Sequence, residues 1–359
     1  MTVLEIYIAY LVFIIIAAII YNNLNVNKRM APSYIILCIA VLTLIAGLRN
    51  ITVGIDTKSY VYYFEHYGKM NWQKLFRNIS GDSEFNSWFI LKIIYLLSGG
   101  NSTVLFIVVA TIMSAALFFL IKNYSDDPFI SIIMFVSIGY FHFSMSGMRQ
   151  TLALAIVIFS YKYVRDRKLL KFLLVLLIAY LFHNSAIIFL IAYPVARLRL
   201  GVKHIFIFVS SVAALSFASP FVQWFIFNFL RWERFTLYES GRASLNLSGF
   251  FVHLVIFLFC LYYYNRIIKN DARDLSYFNI MFIGLIFLLM TPIMAEFFRI
   301  AYYFNIYGII LLTKALKSET NPRFKTFIYS GVTTVFLAYY LFFGYRYAGC
   351  VPYRFFWEK

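Results

Sequence analysis

Apolar residues in this chain come in long unbroken runs, not in the alternation of a half-buried strand. The runs cover residues 3–21, 34–48, 103–121, 151–163, 169–193, 250–264, 275–290 and 327–343. Several approach the roughly 20 residues that a helix needs to cross a bilayer, and segments apolar on all sides belong in lipid or inside a bundle. Two further runs, 85–97 and 129–145, lie between them, and the first is short for a span. It is expected to be re-entrant or to lie in the membrane interface. The pattern predicts an all-α, polytopic transmembrane helix bundle of about 11 to 13 membrane segments, re-entrant or broken helices included. No Gly/Ser-rich or Pro-rich linker interrupts it and no internal repeat is visible, so 1–359 reads as a single integral membrane domain.

Composition sharpens this picture. Hydrophobic residues make up 62% of the chain and charged ones 13%, against about 25% charged in soluble domains. Many Tyr and Trp sit at the ends of the runs, where amphipathic rings anchor at the lipid boundary. The charge of +17 comes from 32 basic against 15 acidic residues, which in a membrane protein reflects basic cytoplasmic loops and does not imply nucleic acid. The clearest such stretches are Lys28–Arg29, 162–171, 266–273 and 314–325, all placed in the cytoplasm. Counting spans from them makes 50–86 and 231–248 outer loops and puts Arg49, Arg149, Glu296, Arg299 and the tail with Arg354 outside.

The basic cluster Arg197, Arg199, Lys203 and His204 falls outside by the same count, unless the preceding helix is broken near His183–Asn184. The first apolar run has no basic residue before it and no small-residue cleavage site behind it, so it reads as a retained helix. Cys38, Cys260 and Cys350 show neither a disulfide framework nor metal-ligand spacing.

Ionisable side chains inside such a chain cost at least about 2.5 kcal/mol on insertion scales and so call for a reason. Four groups stand out. Gly47–Tyr60 puts Arg49 at a helix end, then a turn permitted by Gly54, then Asp56; Ser146–Gln150 offers Arg149, whose planar fork suits phosphate. His183 interrupts an apolar run, and Glu296 and Arg299 lie one helical turn apart. Blander roles are available for each: snorkelling for the arginines, a helix cap for Asp56, helix packing for His183, a structural ion pair for Glu296 and Arg299. Their convergence on one membrane face instead suggests an anionic ligand such as a lipid-borne phosphate or pyrophosphate. Walker loops, dinucleotide fingerprints, zinc-protease motifs and nucleophile elbows are absent. The adjacent carboxylates Asp126–Asp127 fall on the cytoplasmic side, so no metal and no cofactor is expected.

Several stretches together resemble the EpsG-like family of Wzy-type bacterial polysaccharide polymerases. They are Arg49–Tyr60, Met148–Ala153, Arg167–Phe172, Phe182–Ala186 and the ending Val351–Phe355. The resemblance implies a multi-pass glycosyltransferase of the bacterial cytoplasmic membrane. Such an enzyme polymerises undecaprenyl-pyrophosphate-linked repeat units at the outer face, with a chain-length regulator and a flippase as candidate partners.

On this reading Arg149 and Arg299 grip the pyrophosphate, and Asp56, Glu296 and His183, in that order, are candidate bases. Arg49, Tyr60, Gln150, Arg197, Arg199 and Arg242 are expected to bind substrate, and Trp232 and Tyr238 to stack on sugars. Alternatives are a transporter or flippase of the same lipid-linked oligosaccharide, an O-antigen-type ligase, and an acyltransferase using His183 or His142 as base.

Overall fold

The computed structural model describes residues 5–23, 31–77, 85–199, 201, 203, 206–208, 210–211, 214, 247–291 and 296–358. Among them every regular element is a helix, and the one β-type pairing is an isolated antiparallel bridge between Arg49 and Phe355. Contacts group the chain into two compact units: Met1–Leu190 with Glu319–Lys359, and Ile191–Ser318.

The first unit holds α1 (Glu5–Asn23), α2 (Ala31–Gly47), α3 (Thr57–Lys69), α4 (Trp72–Arg77) and α5 (Phe85–Ser98). It continues with α6 (Ser102–Tyr124), α7 (Pro128–Ser137), α8 (Tyr140–Ser146), α9 (Met148–Arg165) and α10 (Leu169–Phe182). The second unit holds α11 (Ala192–Val195), α12 (Ser248–Tyr262), α13 (Tyr264–Asn270), α14 (Leu275–Leu289), α15 (Phe297–Asn305) and α16 (Gly308–Lys317). The chain then returns to the first unit as α17 (Pro322–Phe342).

Helix α6 shows how the sequence makes a span. The Asn101 side chain caps it by accepting from the Thr103 N–H at 2.9 Å. Its 23 residues then run about 35 Å, more than the roughly 30 Å of hydrocarbon in a bilayer. Helix α2 packs along it antiparallel. The Thr43 and Ser114 hydroxyls meet at 2.6 Å, and a Cβ at Gly47 would lie 3.0 Å from Ile107, so glycine sets the closest approach. Small residues and hydroxyls at a helix seam are what packing in lipid favours.

Among the described residues two helices are long and apolar enough to cross a membrane alone, and two bent pairs are if each counts as one span. The run 129–145 is one such pair: α7 and α8 meet at 52°, with Gly139 in the left-handed region at φ +92°. The other is α12 with α13, bent by 66°. The run 169–193 is also interrupted. Helix α10 stops at Phe182, His183 is extended at φ −156° and ψ 119°, and a 3-10 stretch, Asn184–Ile191, follows. One face of α10 buries Phe172, Leu176 and Ala179, while Leu170, Leu174, Leu177 and Leu181 lie exposed on the other. A leucine stripe of that kind fits lipid and not water.

Each unit has a distinguishable end. In the first, α9 spans 18 residues, which separates Arg149 from Arg165 by about 24 Å. Arg165 lies over Tyr124 at 5.6 Å, and Phe129 stacks on Tyr329 near Lys325. The stretches around Arg165 and Lys325 therefore lie at the end opposite Arg149. In the second unit Lys314 pairs with Asp274 at 3.0 Å, and Arg266 donates to the Ser318 carbonyl at 3.2 Å. Those contacts bring the basic stretches near 266–273 and 314–317 to one end.

Candidate functional site

The motif 47–60 folds as a tight loop between α2 and α3, held by the end of the chain. The Asn50 N–H donates to Arg354 O at 2.8 Å, and Phe356 N–H to Leu48 O at 2.8 Å. Gly54 and Ile55 N–H groups donate to Gly349 and Ala348 carbonyls, each at 3.0 Å. The Tyr353 hydroxyl donates to the buried Ile45 carbonyl at 2.7 Å. Gly54 takes φ +97°, and a Cβ there would fall 2.9 Å from Met145 O. Only glycine suits that turn.

Arg49 is enclosed within this knot, 1% exposed. Its guanidinium donates to Ala46 O, to Met145 O at 2.9 Å and to Met148 Sδ at 3.4 Å, and it lies 4.2 Å from the Phe106 ring. Burial pushes it down, to about 10, so it stays cationic at neutral pH. The Thr57 hydroxyl also lies 3.2 Å from Met145 O. That carbonyl sits in the last turn of α8, just before the break at Gly147.

From the break springs α9, with Arg149 second in line. Its guanidinium lies 4.8 Å from the Trp88 ring of α5 and 5.8 Å from the Tyr60 ring of α3. Both are within the range of a cation–π contact. It borders a small cavity of about 20 Å³ lined by Tyr60, Leu91, Leu105, Met148, Leu152 and Phe182, among others. The start of an 18-residue helix adds the positive end of its dipole to the Arg149 charge, the arrangement that anions favour.

Asp56 stands at the start of α3, half-buried, with its N–H 3.3 Å from Ser146 Oγ, and its carboxylate makes no capping hydrogen bond. Gln150 is buried in the first turn of α9. Arg49, Asp56, Tyr60, Arg149 and Gln150 thus gather around the α8–α9 break at one end of the first unit.

His183 caps α10 immediately after Phe182, which lines the Arg149 cavity. The second unit carries Glu296 at the N-cap of α15 and Arg299 in its first turn, with Arg299 5.8 Å from the Phe298 ring. Arg197 and Arg199 are exposed just after α11. Arg242, Trp232, Tyr238 and His204 lie outside the described residues. His142 is fully buried, with Nε2 3.4 Å from the Tyr340 hydroxyl. Among the described residues no three His, Cys, Asp or Glu side chains converge to hold a metal ion.

Two participants escape sequence reasoning, and so do the partners of a third. Trp88 lies in the short run 85–97, where one more aromatic ring carries no signal. The Met145 carbonyl is backbone. Tyr353 stands in the ending that resembles the family, but its hydrogen-bond partner Ile45 lies 308 positions away in sequence and no local pattern names it.

Described elements that are all helices, together with the exposed leucine face of α10, mark the chain as a membrane protein. It matches the EpsG family over residues 33–355 and belongs to that family of Wzy-like polysaccharide polymerases and exopolysaccharide biosynthesis proteins. It is accordingly a membrane protein of polysaccharide biosynthesis. No curated protein and no solved structure matches it.

Proposed function

We propose that the chain is a Wzy-type glycosyltransferase that polymerises undecaprenyl-pyrophosphate-linked repeat units at the outer face of the bacterial cytoplasmic membrane. On this reading it crosses the membrane in about 11 to 13 segments. The observation that carries it is Arg149, set at the start of α9 between Trp88 and Tyr60, at the end of its unit remote from Arg165 and Lys325.

Arg149 grips the donor pyrophosphate in a bidentate fashion, and the α9 dipole adds to its field. An acceptor sugar hydroxyl attacks the anomeric carbon of the donor glycan. The bond from that carbon to the pyrophosphate oxygen breaks, its electron pair leaves with the pyrophosphate, and the hydroxyl proton passes to Asp56. Stabilising the charge on the departing group is the main contribution to rate. His183, which directly follows the cavity-lining Phe182, is a further candidate base in this reading. Arg49 acts through the backbone, by holding the Met145 carbonyl and so the turn from which Arg149 emerges.

The test is purified protein given lipid-linked repeat units alone. Ladder-like extension without nucleotide or metal is expected, and Arg149→Ala should reduce it on the order of 100-fold at normal insertion. Arg149→Lys should recover little, because an ammonium lacks the planar fork. Units that cross liposomes unextended would instead identify a transporter, and transfer to a different acceptor without ladders a ligase.

A further inference from the structure

Helix α5 carries a charge that the charge pattern gave no role. Lys92 stands in the middle of its apolar sequence and is 3% exposed. Its amino group donates to the Gly68 carbonyl at 3.0 Å and to the Met70 carbonyl, and it lies 4.8 Å from the Trp72 ring. Those carbonyls end α3, whose last turn carries the negative end of the helix dipole and carbonyls without intrahelical donors. A buried cation there ties two helices together at a defined height.

We propose that Lys92 is a positioning residue for Arg149, locking α5 to the end of α3 so that Trp88 and Tyr60 close on the guanidinium. The inference rests on the reading of Arg149 as the pyrophosphate ligand. Trp88 lies four residues before Lys92, one helical turn away and on the same face. Tyr60 lies on the same rigid α3 whose far end Lys92 holds. Between them the helices touch: a Cβ at Gly68 would fall 2.1 Å from the Tyr95 ring, and Tyr67 stacks on Trp88 at 4.8 Å. The rings flanking Arg149 therefore come from two helices whose register Lys92 sets. A misplacement of about 1 Å in such a group costs up to about 100-fold in rate.

The experiment is a double-mutant cycle in the ladder assay with purified, membrane-inserted protein. Lys92→Met is expected to lower kcat about tenfold with KM for the lipid-linked unit changed less, and Lys92→Arg, which keeps a cationic donor, to recover most of it. In the Arg149→Ala background Lys92→Met should add no further loss, because the group it positions is gone. A loss of equal size in both backgrounds, or wild-type kinetics for Lys92→Met, would overturn the inference. Full activity in Arg149→Ala alone would instead overturn the reading of the site. Should Lys92→Met fail to insert, Trp72→Leu, which removes the ring under the amino group, enters the same cycle and is judged by the same outcomes.

Discussion

Arg49 and Arg149 follow apolar stretches in the same way along the chain, yet their surroundings divide their work. Arg49 donates to a carbonyl on its own helix end, to one on α8 and to a sulfur on α9, with a ring against its face. Arg149 instead projects from the first turn of a helix between two aromatic rings. Arg49→Lys is therefore expected to lower stability by about 2 kcal/mol, because one ammonium cannot serve the spread of acceptors that a guanidinium fork spans. Thermal unfolding in detergent measures this, and an unchanged midpoint would show that the contacts carry no stability. Sequence made both arginines conspicuous through the cost of charge near lipid. It could not separate them, because burial depends on helices that the motif does not contain.

The elements divide into helices that the apolar runs foretold, the helices α3 and α4 that form within the polar stretch 50–86, and interruptions that only some residues announced. Gly139 and Gly147 mark the ends of α8, and His183 the end of α10: Gly139 and His183 are a helix-disfavouring and a polar residue inside apolar runs, and Gly147 lies between two such runs. The terminal segment is less legible: its ending Val351–Phe355 resembles the family's, but nothing in it announces the pairing with the loop that leads to Asp56. Cys350 reports on that docking. It is fully buried, and burial pushes its thiol up to about 12, so at neutral pH it is a poorly reactive, shielded thiol. In a variant lacking Cys38 and Cys260, native-state maleimide labelling of Cys350 should be slow and should speed up at least about tenfold in Tyr353→Ala, which loses a buried hydrogen bond and a ring. Equal labelling rates would mean that the tail is held by something other than Tyr353.

At the scale of the whole molecule, contacts separate the candidate residues into two sets. Arg49, Asp56, Tyr60, Arg149, Gln150 and His183 belong to the first unit, and Arg197, Arg199, Glu296 and Arg299 to the second. The second unit has its own fastening in the pair Lys314 and Asp274, both largely buried at 3.0 Å. Asp274→Asn should destabilise by about 3 kcal/mol, since a buried ammonium then faces a neutral amide. Replacing both partners with apolar residues should restore most of the loss. Denaturant titration of the reconstituted protein measures both, and a neutral Asp274→Asn would place the pair in water and not in the protein. Charge counting anticipated that the stretches holding these two residues share one end, because a polypeptide of apolar spans returns its basic loops to one side.

What the sequence determined alone was helicity, residence in a membrane and the identity of the conspicuous charges, all consequences of local composition measured against the cost of moving polar groups into hydrocarbon. What only the tertiary structure decided was which charge is enclosed, which one faces a cavity, and what holds each in place. Those depend on single carbonyls, rings and glycine contacts that chain segments far apart in sequence supply to one another. Lys92 is the plainest instance: its partners are two backbone oxygens and a ring, and a backbone oxygen has no letter in a sequence.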